Sequence, residues 1–226
     1  MKNIINHIIG WDIRNWSRFL IFSEKYINHI GPGKKALEIG ARHGGLSLYL
    51  ALKGFTVICS DLTSPEPTAK IIHDQYGVTE RVKYEVVNAL NIPYDDNSFD
   101  LVMFKSVLVN MENQENQKKA MNEIYRILKP NGVLLFAENL KGSQLHQYLR
   151  KRFVNQYLLS QRKYLSIEDI DDLGASFHTV IKETYGFLGL LGWNETIRNI
   201  LGILDGCIDR VSPAAWRYII FVYCKK

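Results

Sequence analysis

Two carboxylates and two glycines stand where apolar runs of the chain give way to polar residues. Glu38 closes a strand-like run, and Gly40 and Gly44 follow it before a helical pattern begins. A second apolar run ends at Asp61, 23 positions after Glu38. In an open α/β sheet, such strand ends meet in the crevice where ligands bind. A carboxylate there favours a ligand group that is cationic or donates hydrogen bonds.

Strand and helix patterns alternate regularly around these residues, which predicts parallel βαβ units. With two later strands, the pattern predicts an α/β fold: a Rossmann-like, doubly wound, seven-stranded, mostly parallel sheet with an antiparallel last strand. The predicted strands are 35–40, 55–61, 82–87, 99–104, 133–137, 177–185 and 218–224, and the predicted core helices are 44–53, 65–76 and 114–128.

The segments outside this core are predicted to form caps within a single domain, 1–226. Residues 1–33 form an N-terminal helical cap, in which the Asp12 side chain is expected to cap a second helix. Its Trp11 and Trp16 are either core residues or part of an arm that closes over the site. Residues 34–140 form the cofactor-binding core. An amphipathic helix within 141–165 and the insertion at 186–216 are placed on the acceptor side.

Composition excludes several classes of protein. The formal net charge is +5, from 28 Lys and Arg against 23 Asp and Glu, which is too small an excess for a nucleic-acid-binding tail. The three cysteines form no CxxC pair, so no metal site is expected and a reduced compartment is favoured. No signal peptide or transmembrane run is visible, which predicts a cytoplasmic protein.

The glycine turn does not fit a dinucleotide site. A Gly-x-Gly-x-x-Gly fingerprint aligned on Gly40 and Gly45 has Arg42 at its middle glycine. Glu38 would also place a carboxylate beside a pyrophosphate. An NAD-dependent oxidoreductase is therefore the weaker alternative.

The turn instead resembles motif I of the class I S-adenosylmethionine-dependent methyltransferases, Glu/Asp-x-Gly-x-Gly-x-Gly. Residues 38–44 read Glu-Ile-Gly-Ala-Arg-His-Gly, with Arg42 in place of the middle glycine. Asp61 matches the family's acidic residue after strand two, and residues 87–90 match the segment after strand three. Residues 92–102 and 123–132 follow two further family segments in the expected order, so the resemblance covers roughly residues 34–140.

This resemblance implies S-adenosylmethionine as cofactor and assigns a role to each matching residue. Glu38 accepts from the methionine ammonium, and Gly40, Ala41, Arg42 and Gly44 form the loop around the methionine and ribose. Asp61 accepts from the ribose hydroxyls, and Leu62 packs on the adenine face. Asn88 pairs with the exocyclic amine of adenine, and the Ala89 or Leu90 amide pairs with a ring nitrogen. Lys105 lies beneath the sulfonium and contributes its backbone or stem.

The acceptor is predicted to be a small molecule, a sugar or a lipid-linked precursor, methylated on a hydroxyl. His146 is the preferred general base; Glu138, Asn139 and His178 are the other candidates. No Asn/Asp-Pro-Pro-Tyr/Phe motif follows strand four, which argues against nucleic-acid amines. The basic segment 141–163 and apolar 187–193 leave peripheral membrane contact or a homodimer open. A cofactor-binding relative that does not methylate is the non-enzyme alternative.

Overall fold

A seven-stranded sheet forms the centre of the molecule. The computed structural model describes residues 2–153 and 162–226. The strands are β1 (Lys35–Ile39), β2 (Thr56–Asp61), β3 (Val82–Val86), β4 (Phe99–Lys105), β5 (Leu128–Asn139), β6 (Thr179–Tyr185) and β7 (Ile219–Lys225). Their spatial order is β3-β2-β1-β4-β5-β7-β6, and β7 is antiparallel to both of its neighbours. The predicted mostly parallel sheet with an antiparallel last strand is confirmed.

Helices cover both faces of this sheet. They are α1 (Lys2–Ile9), α2 (Ile13–Trp16), α3 (Arg18–Ile30), α4 (Gly45–Leu52), α5 (Glu66–Gln75), α6 (Gln114–Ile127), α7 (Gln144–Phe153), α8 (Ile167–Gly174) and α9 (Glu195–Ile208). The strand order reverses between β1 and β4, and in such sheets the reversal opens a crevice at the carboxyl ends of the strands. Within the described ranges, no helix combines the length and apolar character that a membrane span requires.

Two apolar clusters fill the two sides of the sheet. On β4, Val102 and Phe104 belong to one cluster, and Leu101 and Met103 belong to the other. Burial on both faces explains why the inner strands read as continuous apolar runs. The second cluster also contains Trp16, which is fully buried. The N-terminal helices are therefore part of the core.

Two elements differ from the sequence prediction. β5 begins at Leu128, before the predicted start of the strand at 133, because the extended backbone already pairs with β4 at Phe99. The amphipathic helix predicted within 141–165 is described as α7, which ends at Phe153. The later part of that prediction, over 154–161, lies outside the described residues.

Candidate cofactor and acceptor site

A cleft of about 940 Å³ opens where the strand order reverses. It brings together the residues predicted for the cofactor, except that Gly44 lies behind the loop. His146 does not line the cleft. The predicted residues that do are Glu38, Gly40, Ala41, Arg42, Asp61, Leu62, Asn88, Ala89, Leu90 and Lys105.

Glu38 joins the end of β1 to the start of α4. Its Oε1 accepts from the Leu46 amide at 3.2 Å, and its Oε2 accepts from the Ser47 amide at 2.7 Å and the Ser47 hydroxyl at 2.5 Å. Burial raises the pKa of the Glu38 carboxyl to about 7, against these hydrogen bonds and the nearby Lys105, which lower it. Because a carboxylate oxygen can accept two hydrogen bonds, Oε1 can take one more from a donor in the cleft.

The Asp61 carboxylate forms a hydrogen bond with the backbone of the motif I loop. One oxygen accepts from the Arg42 amide and the other from the Leu62 amide, both at 2.7 Å. Each oxygen then retains capacity for one further donor, which suits a pair of vicinal hydroxyls. The Arg42 side chain is exposed. Arg42 therefore contributes a backbone amide to the loop, as the family glycine would.

The backbone of the loop is strained in a way that glycine relieves. Gly40 has φ +68°, and a Cβ built on it would lie 2.6 Å from Cγ2 of Val107. Arg42 adopts φ +52° without being glycine. Non-glycine residues in this region cost free energy and cluster at ligand sites. At Gly40 a side chain is therefore excluded both by the backbone conformation and by the packing of Val107.

Gly44 faces away from the cleft and packs on a histidine that the motifs did not indicate. A Cβ on Gly44 would meet Ala69 at 2.6 Å and the His73 ring at 2.8 Å. His73 Nε2 lies 2.9 Å from the Gly44 carbonyl, and its Nδ1 lies 2.8 Å from the Tyr84 hydroxyl. Burial lowers the pKa of His73, so it supports the loop as a neutral ring.

Asn88 forms a turn of its own at the adenine end of the cleft. Its Oδ1 accepts from the Leu90 amide at 2.9 Å, and its side chain is exposed. Since the Leu90 amide is engaged in this turn, the Ala89 amide is the better donor for a ring nitrogen. Leu62 is 67% exposed, and such an apolar side chain suits an aromatic face.

Lys105 directs its ammonium towards the N-terminal arm. Nζ donates to the Ile9 carbonyl at 2.5 Å and lies 5.3 Å from the Trp16 ring centre. Burial lowers the pKa of the Lys105 ammonium to about 8, although Glu38 acts in the opposite direction. This arrangement keeps the cation on the arm and leaves the stem at the cleft wall.

The arm is itself a wall of the cleft. Residues 7–11 line it, and Trp11 is half-buried there. A Cβ on Gly45 would lie 2.2 Å from the Ile8 carbonyl, so the end of α1 packs directly on the start of α4. The sequence left open whether the two tryptophans are core residues or part of an arm over the site, and the structure gives one answer for each. Trp16 is a core residue, and Trp11 faces the cleft.

Ser106 and Asn139 lie together at the acceptor end of the cleft. Asn139 Nδ2 donates to the Ser106 hydroxyl at 3.1 Å, and Ser106 adopts φ +56°. Asn110 closes this wall by donating to the Ser106 carbonyl at 2.7 Å. Glu138 points elsewhere. Its Oε1 accepts from the Val107 and Leu108 amides at 2.7 Å, and burial raises the pKa of its carboxyl to about 7.

His146 occupies a structural position. It is 1% exposed; its Nδ1 accepts from the Ser143 amide at 3.2 Å, and its Nε2 donates to the Phe187 carbonyl at 2.6 Å. The ring packs between Phe187 and Tyr218. Both nitrogens are engaged away from the cleft, so the structure does not bring His146 to an acceptor. Of the other candidate bases, Asn139 reaches the cleft, whereas Glu138 and His178 do not line it.

A buried polar network joins the arm to the C-terminal insertion. Tyr218 donates to Asp12 at 2.5 Å, and Asn15 donates to Asp205 at 3.1 Å. The Asp12 side chain does not cap α2, contrary to the prediction; Glu195 accepts from the Asp12 amide at 3.0 Å instead. Burial raises the pKa of the Asp12 carboxyl to about 6.

Several residues of the cleft wall escaped the sequence reasoning. They are His7, Glu112, Asn116 and Arg162. The helical pattern around His7 placed it on an arm but gave no contact with the cleft. Glu112, Asn116 and Arg162 lie in segments with no motif, and only the tertiary fold brings them to the site.

Comparison with known proteins supports the reading of the fold. The family model for a methyltransferase domain matches residues 37–136. The ubiquinone/menaquinone biosynthesis C-methyltransferase of Hydrogenovibrio crunogenus is 32% identical over 149 residues, covering 63% of this chain and 55% of that protein. Norajmaline N-methyltransferase of Rauvolfia serpentina is 31% identical over 119 residues, covering 51% and 39%. The chain thus spans less than two thirds of these relatives.

Solved structures share the fold at low identity. Haemonchus contortus phosphoethanolamine N-methyltransferase 2, solved with S-adenosyl-L-methionine, superposes with a TM-score of 0.65 at 18% identity, covering 93% of this chain and 52% of that chain. The [4+2]-cyclase SpnF gives 0.57 at 18% identity, covering 90% and 80%. Such similarity shows the fold and leaves the reaction to the site.

Residues 37–136 match the model of the methyltransferase domain family, and the resemblance to class I S-adenosylmethionine-dependent methyltransferases is confirmed. The predicted cofactor, S-adenosylmethionine, is confirmed by this family match and by the similar structure solved with it bound.

Proposed function

We propose that the chain is an S-adenosylmethionine-dependent methyltransferase that acts on a small molecule. Asp61 carries the proposal. It stands at the end of β2, and one of its oxygens accepts a hydrogen bond from the Arg42 amide of the motif I loop while the other accepts from the Leu62 amide. Each oxygen keeps capacity for one hydroxyl donor. Glu38, on the neighbouring strand, has capacity for one further donor, such as an ammonium. Gly40 lines the cleft and carries no side chain of its own.

The cofactor, when bound, supplies an electrophilic methyl group. The protein supplies position. Holding the acceptor atom near the methyl in a fixed direction provides much of the acceleration in such displacements. Ser106 and Asn139 offer hydroxyl and amide groups to orient an acceptor at that end of the cleft. Trp11 gives the arm an aromatic face for it.

A hydroxyl acceptor is our first choice, because the predicted site places hydrogen-bonding groups at the acceptor end. Such an acceptor must lose a proton to a base. Apart from Glu38 and Asp61, the described residues that bring a carboxylate or an imidazole to the cleft wall are His7, His43 and Glu112. We assign the base to this set, in place of His146. Loss of turnover in one of His7→Gln, His43→Gln and Glu112→Gln identifies it, whereas full turnover in all three contradicts the assignment.

Carbon methylation is the second candidate. The relative from Hydrogenovibrio crunogenus is named as a C-methyltransferase of quinone biosynthesis, and the relative from Rauvolfia serpentina as an N-methyltransferase. The bonded atom is read directly from the product. Transfer of a carbon-13-labelled methyl group to extracts of small molecules, followed by NMR, separates methyl on oxygen, nitrogen and carbon. A product with methyl on oxygen supports the first choice, and one on carbon replaces it.

The rivals make different predictions in solution. A cofactor-binding relative would bind S-adenosylmethionine without transferring its methyl group to any extract fraction. An oxidoreductase would bind NADH instead. Calorimetric titration with both compounds, alongside the labelled-methyl assay, distinguishes the three. Methyl transfer with no binding of NADH supports the proposal, and binding of NADH alone overturns it.

The sequence leaves a homodimer open, and the exposed apolar side of α9 supports this possibility. Ile200, Ile203 and Leu204 are 53%, 55% and 49% exposed. The one cation of α9 is Arg198, and it lies over the Trp11 ring at 5.4 Å. Helices that bind membrane surfaces carry cations beside their apolar face, so a second copy is the better occupant. Light scattering should show a dimer that Ile203→Glu dissociates; a monomeric wild type contradicts it.

A further inference from the structure

A second cavity, of about 470 Å³, lies beside the cleft and is strongly cationic. Among the described residues, its wall includes Lys141, Lys151, Arg162 and Lys163 against one carboxylate, Asp169. Side-chain amides of Gln114, Gln117 and Gln147 complete its polar surface. Nothing in the reaction proposed above uses these groups.

The sequence around the cavity is one-sided in charge. Residues 139–167 contain six Lys and Arg and no Asp or Glu, although the whole chain has 28 and 23. Charge of one sign lining a concave surface raises the local concentration of the opposite ion. The cavity is therefore expected to attract anions more strongly than the modest net charge of the whole protein would.

Asp169 offsets this charge only in part, because it is engaged in holding α8. Its Oδ2 accepts from the Ser166 amide at 2.7 Å and from Lys141 Nζ at 3.3 Å. These partners hold the pKa of the Asp169 carboxyl below its ordinary value. The described wall thus holds four cationic side chains and one carboxylate, so cations outnumber anions by three.

Backbone bonds tie the cationic segment to the rest of the site. The Lys163 amide donates to the Val109 carbonyl at 2.7 Å, and the Lys141 amide donates to the Leu165 carbonyl at 2.8 Å. Gln117 Nε2, from a buried side chain, donates to the Leu108 carbonyl at 2.9 Å. This wall is therefore anchored to the end of β5 and to the turn that closes the cleft.

The cavity and the cleft share a wall residue. Arg162 lines both, and Val109 and Asn110 of the adjoining turn line the cleft. An acceptor whose reactive atom lies near Ser106 in the cleft can therefore extend past Arg162 and place its other end in the cationic cavity. Arginine and lysine recognise phosphate and carboxylate groups through charge-assisted hydrogen bonds.

We propose that this cavity is the subsite for an anionic group, a phosphate or a carboxylate, on the methyl acceptor. The acceptor passes Arg162, with its reactive atom in the cleft and its anion among Lys151, Arg162 and Lys163. The inference rests on the proposed function and narrows its substrates to acidic molecules.

Calorimetry on the full chain saturated with S-adenosylhomocysteine tests this directly. Inorganic phosphate and succinate are titrated separately, and we expect saturable one-site binding of at least one of them. Tighter binding of phosphate assigns a phosphorylated acceptor, and tighter binding of succinate assigns a carboxylic one. Binding of neither overturns the subsite.

Variants distinguish anion binding in the cavity from nonspecific binding of anions to a basic protein. Lys151→Gln combined with Lys163→Gln should weaken anion binding at least tenfold. Lys83→Gln is the matched control, since this lysine lies on β3 with its side chain 73% exposed. Thermal unfolding of each variant confirms that it is folded. Equal weakening in the control, or unchanged binding in the double variant, means adventitious surface binding and overturns the inference.

The same experiment distinguishes this failure from failure of the proposed function. A protein that binds S-adenosylhomocysteine but neither anion loses only the subsite. A protein that does not bind S-adenosylhomocysteine loses the proposed function first, and the subsite falls with it.

Discussion

The two sides of the cleft are held together by contacts of very different range. On the cofactor side, Asp61 bonds to a residue 19 positions away, and Glu38 bonds to residues 8 and 9 positions away. On the acceptor side, which is the part formed by the arm and the C-terminal insertion and is proposed to face the acceptor, Tyr218 bonds to Asp12 across 206 positions, and Asn15 bonds to Asp205 across 190. The cofactor side is thus a local motif, whereas the acceptor side exists only in the folded chain.

This difference extends to the chemical groups that carry the bonds. The carboxylates of the cofactor side accept from backbone amides, which every sequence provides. The carboxylates of the acceptor side also accept from backbone amides, but this side adds bonds between particular side chains that meet in the interior, where each unpaired group is costly. The first design tolerates substitution, as Arg42 shows. The second should not.

The largest expected effect comes from breaking the acceptor-side network at Asp205. This buried carboxylate accepts from the amides of Phe187, Leu188 and Gly189. Asp205→Ala leaves these donors unsatisfied at about 1–3 kcal/mol each. We expect the free energy of unfolding to fall by at least about 3 kcal/mol, measured by denaturant titration. Asp172→Ala, on the exposed side of α8, is the control; an equal change in both contradicts the network.

A smaller effect is expected where the two sides meet, at Gly45. Gly45→Ala places a Cβ 2.2 Å from the Ile8 carbonyl, so α1 must move away from α4. Overpacking of this kind costs about 1–3 kcal/mol. Fluorescence of Trp11 should shift towards that of an exposed indole. Gly206→Ala is the control, because its nearest neighbour lies 3.5 Å away. An unshifted spectrum in Gly45→Ala would mean that the arm does not pack there.

Acid pH should stabilise the fold through groups on both sides. Burial raises the pKa of Glu38 and Glu138 to about 7 from ordinary values near 4.5. Between these values the folded state binds more protons, so their contribution is complete below the lower value and is lost as pH rises through the upper one. Each group adds a slope of at most about 1.4 kcal/mol per pH unit.

Substitution measures that slope. Glu38→Gln and Glu138→Gln should each flatten the dependence of unfolding free energy on pH between about 4.5 and 7. Glu115→Gln, in the first turn of α6, should leave the slope as in the wild type. Parallel curves for all four proteins would show that neither buried carboxyl takes up a proton on folding.

The smallest effect is expected at Arg42. Its left-handed backbone costs about 1–2 kcal/mol for a residue with a Cβ, and glycine recovers this against about 0.5–1 kcal/mol of extra chain entropy. Arg42→Gly should therefore change the free energy of unfolding by no more than about 1.5 kcal/mol and preserve affinity for S-adenosylhomocysteine in calorimetry. A large loss of affinity would mean that the guanidinium itself binds the cofactor.

Sequence reasoning succeeded where the signal was local. The strand ends at Glu38 and Asp61, the sheet and the glycine loop follow from alternating apolar runs and motif spacing. His146 was misplaced for the opposite reason. Its segment suggested an acceptor pocket, but contact with Phe187, 41 positions away, decides where its ring lies. His7 and Arg162 carry no motif, and no periodicity indicates that tertiary packing brings them to one cleft.

The proposal as a whole depends on Asp61 holding the cofactor, and one titration tests it most directly. Calorimetry with S-adenosylhomocysteine should show one-site binding to the wild type. Asp61→Ala should weaken that binding by about 1–3 kcal/mol, roughly 5- to 150-fold, while Asp95→Ala, an exposed control, should not. Equal affinity in the wild type and Asp61→Ala, or no binding to the wild type, would contradict the account.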